Sequence, residues 1–190
     1  MPPCCLITCL SATRNLPRYP SRREFKRSLK SSTIPSFGLF INSGSVIVAE
    51  QLASSHESYD WLLIDAQHSP VDRMRLESLL TALTVHGSPS LVRVAGPEDR
   101  AGIQQALDLG AFGVMVPTVK TVEDAKAVVD SAFFPPLGHR SIAFPIKPQL
   151  TRDVSEFISA ANDEVVIILQ VETVECLGSL NEVCENSPAE

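Results

Sequence analysis

The residues best placed to do chemistry are Asp65, His68, Arg93 and Glu172, each at or beside the end of an apolar run. Asp65 and His68 close Trp61-Leu62-Leu63-Ile64-Asp65-Ala66-Gln67-His68, and Ser69-Pro70 stops it. An imidazole there can move a proton near neutral pH. Because Pro70 holds the preceding residue in extended or turn geometry, the chain can curl and bring Asp65 onto the His68 ring. The same letters also suit an aspartate that caps the loop and a histidine merely satisfied at a strand end. Arg93 lies inside Ser90-Leu91-Val92-Arg93-Val94-Ala95-Gly96. A guanidinium is costly to bury alone, so Arg93 must meet a bound anion or an internal carboxylate. Glu172 ends the run 164–173 in a carboxylate.

The elements that carry these groups alternate. Apolar runs at 37–42, 61–68, 90–96, 111–117 and 164–173 read as buried parallel strands. Between them, Ser43-Gly44-Ser45 caps a helix through Val48, Leu52 and Ala53. Val71, Met74, Leu79, Leu80 and Leu83 repeat at helical spacing up to Gly87, and Pro97 opens a helix through Ile103, Ala106 and Leu107 that Gly110 closes. Thr121 to Asp124 has the form of a capping box. Pro135, Pro136, Pro145 and Pro148 mark a long irregular excursion, and Leu177, Leu180 and Val183 suggest a last amphipathic helix. Parallel βα units with their polar groups at strand C-termini point to an α/β fold. About five such units make an incomplete TIM (β/α)8-type barrel, since 190 residues fall short of the roughly 250 that eight units take.

Composition narrows the function classes. A chain with 44% hydrophobic residues can bury one core, and no apolar run reaches the length of a membrane span. Residues 1–37 hold seven Lys/Arg and one acid, whereas the remainder holds nine Lys/Arg against 21 acids, which argues against a nucleic-acid surface. The domain reading is therefore a tail over residues 1–20, disordered or targeting, and a partial barrel domain over 21–190 that a short basic amphipathic helix at 21–30 opens. The tail has the composition of a mitochondrial transit peptide. Cys4, Cys5, Cys9, Cys176 and Cys184 lack paired metal-site spacing, so free thiols in a reducing compartment are expected. The expected location is cytoplasmic, with mitochondrial as the alternative.

With these blocks in order, the sequence resembles the HpcH/HpaI aldolase/citrate lyase family, metal-dependent pyruvate-type aldolases of the phosphoenolpyruvate/pyruvate barrel superfamily. The resemblance rests on Gly38-Leu39-Phe40, the 61–70 block, Val92-Arg93-Val94, Leu107-Asp108-Leu109-Gly110-Ala111, Val116-Pro117-Thr118-Val119, Pro135-Pro136-Leu137-Gly138-His139-Arg140 and Gln170-Val171-Glu172-Thr173. It implies a carbon–carbon lyase that cleaves a 4-hydroxy-2-oxo acid to pyruvate and an aldehyde. By the same resemblance His68 is the catalytic base, Asp65 orients it, and Arg93 stabilises the enolate and contacts the substrate. Gln170 is a substrate-binding residue, and Glu172 is a ligand of a divalent metal, Mg²⁺, Mn²⁺ or Co²⁺.

The sequence departs from the family pattern twice. Gln67 stands where the family often has glutamate, and the match stops before the Gly-Pro-x-Asp-Leu block that would carry the second carboxylate ligand, absent from this chain. The resemblance thus implies a C-terminally truncated member. Two alternatives stay open: an inactive truncated paralogue that acts as a subunit partner, and a citrate-lyase-like acyl-CoA lyase. The expected partners are a small 2-oxo acid and, for a full-length chain, further copies of itself, with neither nucleic acid nor membrane.

Overall fold

A computed structural model describes residues 21–31, 35–55, 59–142 and 153–186. The tail over 1–20, with Cys4, Cys5 and Cys9, lies outside the described residues, as do His56, Pro145 and Pro148. Five strands form one parallel sheet in chain order: β1 (Gly38–Ile41), β2 (Trp61–Asp65), β3 (Ser90–Arg93), β4 (Gly113–Val116) and β5 (Val166–Leu169). Helices α1 (Arg22–Ser31), α2 (Val46–Ser54), α3 (Arg73–Val85), α4 (Arg100–Asp108), α5 (Val122–Ala132), α6 (Val154–Glu164), α7 (Val174–Gly178) and α8 (Leu180–Asn186) lead into, connect and follow the strands. This is the alternating α/β order expected of a partial barrel. Among the described residues no helix is long and apolar enough to cross a membrane.

Register divides the strands into two faces. Ile41, Ile64, Val92, Val114 and Ile167 align in one row and pack with the helices, where Leu79, Leu80, Leu83, Ile103 and Leu107 are buried. The opposite row, Phe40, Leu63, Leu91, Gly113 and Val166, faces the inside of the curved sheet. Helix α1 covers that inner face from below. Its Phe25 joins Leu63, Leu91, Met115 and Val166 and meets the Phe112 ring edge-on at 5.8 Å. Arg22 donates to the carbonyls of Gly110 and Ala111, just before β4, at 2.6 Å each. The basic N-terminal helix therefore closes the sheet at the end where the strands begin.

Capping chemistry sets most helix starts. Ser45, Asp72, Thr121 and Thr173 each accept a main-chain N–H of the following turn, and Thr121 with Asp124 completes the capping box. Three expectations are corrected. Helix α4 begins after Asp99, whose carboxylate takes the Gly102 N–H at 2.9 Å, so Pro97 belongs to the preceding turn. In α3 the buried stripe is Leu76, Leu79, Leu80 and Leu83, whereas Met74 is 78% exposed. Two residues before Leu76, Met74 falls on the far side of a helix with 3.6 residues per turn. The last helical stretch is two short helices that bury Cys176 and Val183 and leave Leu177 outside. Helix α6, capped by Asp153, was hidden by the prolines upstream of it.

Candidate active site

Parallel strands all end on one side, and the polar residues gather there. Asp65 is the last residue of β2 and Arg93 the last of β3, and the two are register partners. Two inward side chains on neighbouring strands at one level must either pair or repel. Here they pair: Arg93 donates Nε to Oδ1 of Asp65 at 2.8 Å and Nη2 to Oδ2 at 2.7 Å. Asp65 is fully buried. Its Oδ1 also takes the main-chain N–H groups of Gln67 and His68 at 3.1 and 3.3 Å, and its Oδ2 takes Nδ2 of Asn42, just past β1, at 2.9 Å.

Burial pushes the Asp65 carboxyl up, but the Arg93 bond and the two main-chain donors outweigh it and hold the group below the ordinary aspartate range. Arg93 is shifted in the opposite sense: the Asp65 bond raises it above its usual value despite desolvation, and the charges of Asp65 and Glu172 add to this. The Phe40 ring lies 5.1 Å from the guanidinium carbon. Glu172 is three residues past β5, and its Oε1 accepts the Thr118 N–H at 2.7 Å. Thr118 takes a φ of 55° to present that N–H, a left-handed conformation that costs a non-glycine residue about 1 kcal/mol or more.

The structure thus brings Asp65 and Arg93 together and sets Glu172 within electrostatic reach of Arg93. It does not place the Asp65 carboxylate on the His68 ring. The strand ends at Asp65, and the turn after it points the Gln67 and His68 N–H groups at Oδ1; His68 itself is exposed. The carboxylate holds the main chain that carries the imidazole. The expectation that Arg93 meets an internal carboxylate holds: its Nε and Nη2 are both spent on Asp65, which leaves Nη1 outside that pair. Gln170 lies one residue past β5, and its Oε1 is buried without a hydrogen-bond partner, as are Oε1 of Gln67 and Oγ of Ser69.

Sequence reasoning gave no site role to Asn42, Phe40 or Thr118. Asn42 carried the signal that marked the others, a polar residue directly after an apolar strand. Thr118 acts through its main chain and left no side-chain trace. Asp108, at the end of α4, bonds the buried Arg140 at 2.7 Å near the start of the strands, away from this cluster. His139 is exposed beside Asp130, and His86 caps α3 with Glu50 3.7 Å away.

The Glu172 carboxylate and the orphaned Gln170 amide oxygen are two residues apart, and both are hard oxygen donors of the kind that Mg²⁺ and Mn²⁺ take. They fit such an ion in kind. Among the described residues no group of three or more His, Cys, Asp and Glu side chains gathers for one.

A 2-dehydro-3,6-dideoxy-6-sulfogluconate aldolase of Pseudomonas putida is 36% identical over 155 residues, 82% of this chain and 59% of that protein. A 4-hydroxy-2-oxo-heptane-1,7-dioate aldolase of Klebsiella pneumoniae is 33% identical over 162 residues, 85% of this chain and 60% of that protein. The crystal structure of an HpcH/HpaI aldolase/citrate lyase family protein from Burkholderia cenocepacia superposes with a TM-score of 0.79 at 30% identity, covering 86% of this chain and 65% of that one. The chain spans about three-fifths of the length of the curated relatives it matches. The family model for HpcH/HpaI aldolase/citrate lyase matches residues 36–189, and the chain belongs to that family of lyases.

Proposed function

We propose that this site forms pyruvate by retro-aldol cleavage of a 4-hydroxy-2-oxo acid. The observation that carries the reading is the Asp65–Arg93 pair, which fixes a guanidinium at the strand ends within electrostatic reach of Glu172 and leaves its Nη1 outside the pair. The names of relatives that are aldolases for 2-oxo acids support it. In the cleavage a base takes the proton from the 4-hydroxyl, the C3–C4 bond breaks to release an aldehyde, and its electrons pass to the enolate of pyruvate, which is then protonated at C3. His68, exposed at the mouth, is the residue here that can take and return that proton. Arg93 Nη1 is the donor for the oxygen on which negative charge develops, a contact that strengthens as the bond breaks. Gln170 offers the substrate an amide that the protein leaves unpaired at its oxygen.

The family generally depends on a divalent metal, and Glu172 would hold it here. When bound, Mg²⁺, Mn²⁺ or Co²⁺ supplies Lewis-acid polarisation of the 2-oxo group. The substrate is a small 2-oxo acid, and the assembly proposed for a whole family member is a homo-oligomer.

The test uses the half-reaction that the enolate defines. Pyruvate incubated with the protein in deuterated water and Mg²⁺ or Mn²⁺ should exchange its methyl protons, followed by proton NMR. Arg93→Lys should slow the exchange by about 100-fold while pyruvate affinity changes little. Lysine can match neither the bidentate grip on Asp65 nor the direction of Nη1. Exchange at the wild-type rate in Arg93→Lys, or none in the wild type at saturating metal, would refute the reading.

A further inference from the structure

We propose that Asn42 is a positioning residue, whose side-chain amide sets the direction of Arg93 by clamping the Asp65 carboxylate from the opposite side. Three neighbouring strands contribute to one layer: Ile41 pairs with Ile64, so Asn42 follows level with Asp65, and Asp65 pairs with Arg93. The carboxylate is thereby held from β1 by Nδ2 of Asn42 at 2.9 Å and from β3 by the guanidinium at 2.7 and 2.8 Å.

The donors are divided unequally between the oxygens. Among the described residues, Oδ1 has Arg93 Nε and two main-chain N–H groups, whereas Oδ2 has Arg93 Nη2 and Asn42. Without Asn42, Oδ2 depends on Arg93 alone and the carboxylate can turn about its own axis. A bidentate pair turns as a unit, so the Nη1 bond would swing with it. An amide suits the task because it adds a donor without adding charge; a cation at this position would compete with Arg93 for Asp65. The sum of five donors on one buried carboxylate also explains how it stays ionised next to Arg93 rather than drawing it inward.

The kinetic part of the test rests on the aldolase reading, and the spectroscopic part does not. Asn42→Ala removes the amide, and Asn42→Asp keeps its shape but replaces the donor with an acceptor, so that a loss of fold in one does not decide the matter. The full chain labelled with ¹⁵N should show a slowly exchanging Arg93 Nε–H, assigned by its disappearance in Arg93→Lys. In both Asn42 variants that proton should exchange several-fold faster and its resonance should move, with the far-ultraviolet spectrum unchanged. Where pyruvate methyl exchange is measurable, its rate constant should fall roughly tenfold with KM nearly constant, because misdirection of a contact made in the transition state costs turnover rather than binding. An Arg93 resonance and exchange rate equal to wild type in both variants would overturn the proposal. An absence of pyruvate exchange in the wild type would count against the aldolase reading, and the Arg93 signal would still decide the role of Asn42.

Discussion

Arg93 and Asp65 are worth more together than either is alone. The pair is buried on the Asp65 side and nearly so on the other, with side-chain exposures of 0% and 15%. Asp65→Asn leaves a guanidinium with a neutral partner that cannot accept on both edges, and a loss of about 3 kcal/mol is expected from urea unfolding. The sign with pH follows from the direction of the shift. Asp65 is held below its unfolded value, so its contribution is present above the ordinary aspartate range near pH ~4 and is lost as pH falls through the lower folded value. Acid unfolding curves of wild type and Asp65→Asn should therefore converge at low pH and separate above it. A constant gap down to strong acid would contradict this. At this scale half of the answer was legible in residue types: a guanidinium inside an apolar strand demanded a carboxylate, but Arg93 and Asp65 lie 28 positions apart, and only strand register reveals that they are partners. The His68 ring could not be placed, because its direction is set by main-chain bonds to Asp65 that leave no mark in residue types.

Elements position this pair, and two sequence-local features control how well. Gly113 starts β4 on the inner row, and a Cβ there would stand 2.1 Å from the Val166 carbonyl oxygen of β5. Gly113→Ala must separate these paired strands, which is expected to cost about 2 kcal/mol and to loosen β5, the strand that leads to Gln170 and Glu172. Phe25 is the anchor of α1, 4% exposed. Phe25→Ala opens a cavity against Leu63, Leu91 and Met115, and thermal unfolding should report about 3 kcal/mol lost. Little or no change in that variant would mean that α1 is not part of the cooperative fold. The strands were legible because each is a short apolar run ended by a polar residue. What α1 does was not: its amphipathic pattern shows that one face is buried, while the surface it covers, the inner row of a sheet assembled from residues 63–166, exists only after the strands have come together. Helix α6 was missed for a different reason, since the prolines before it read as an irregular excursion and its start rests on the cap that Asp153 supplies.

For the molecule as a whole, the sheet is the limiting feature. It has five strands in chain order, and among the described residues β1 and β5 each pair on one side only. Beside β5 lies a cavity of about 290 Å³ lined by Leu29, Val129, Phe133, Ile167 and Leu169, with Lys26 and Lys30 at its rim. An open edge and an apolar trough next to it leave the strand that carries Gln170 and Glu172 supported from one side, and unpaired edges also invite self-association. A site whose donors sit on such a strand is poorly preorganised, and catalysis falls steeply with small displacements of the reacting groups. The 190-residue chain purified alone is therefore expected to turn over a 4-hydroxy-2-oxo acid far below the ~10 per second of a typical enzyme, even in millimolar Mg²⁺ or Mn²⁺. The remaining activity should depend on Glu172, and metal affinity by calorimetry should be weak, since Glu172 accepts the Thr118 main-chain N–H and has no cluster of ligating side chains around it among the described residues. Pyruvate release in a coupled assay, measured on the soluble monomeric fraction, is the check. Turnover near 10 per second that Glu172→Gln abolishes would show that five strands hold the site as firmly as a closed barrel does.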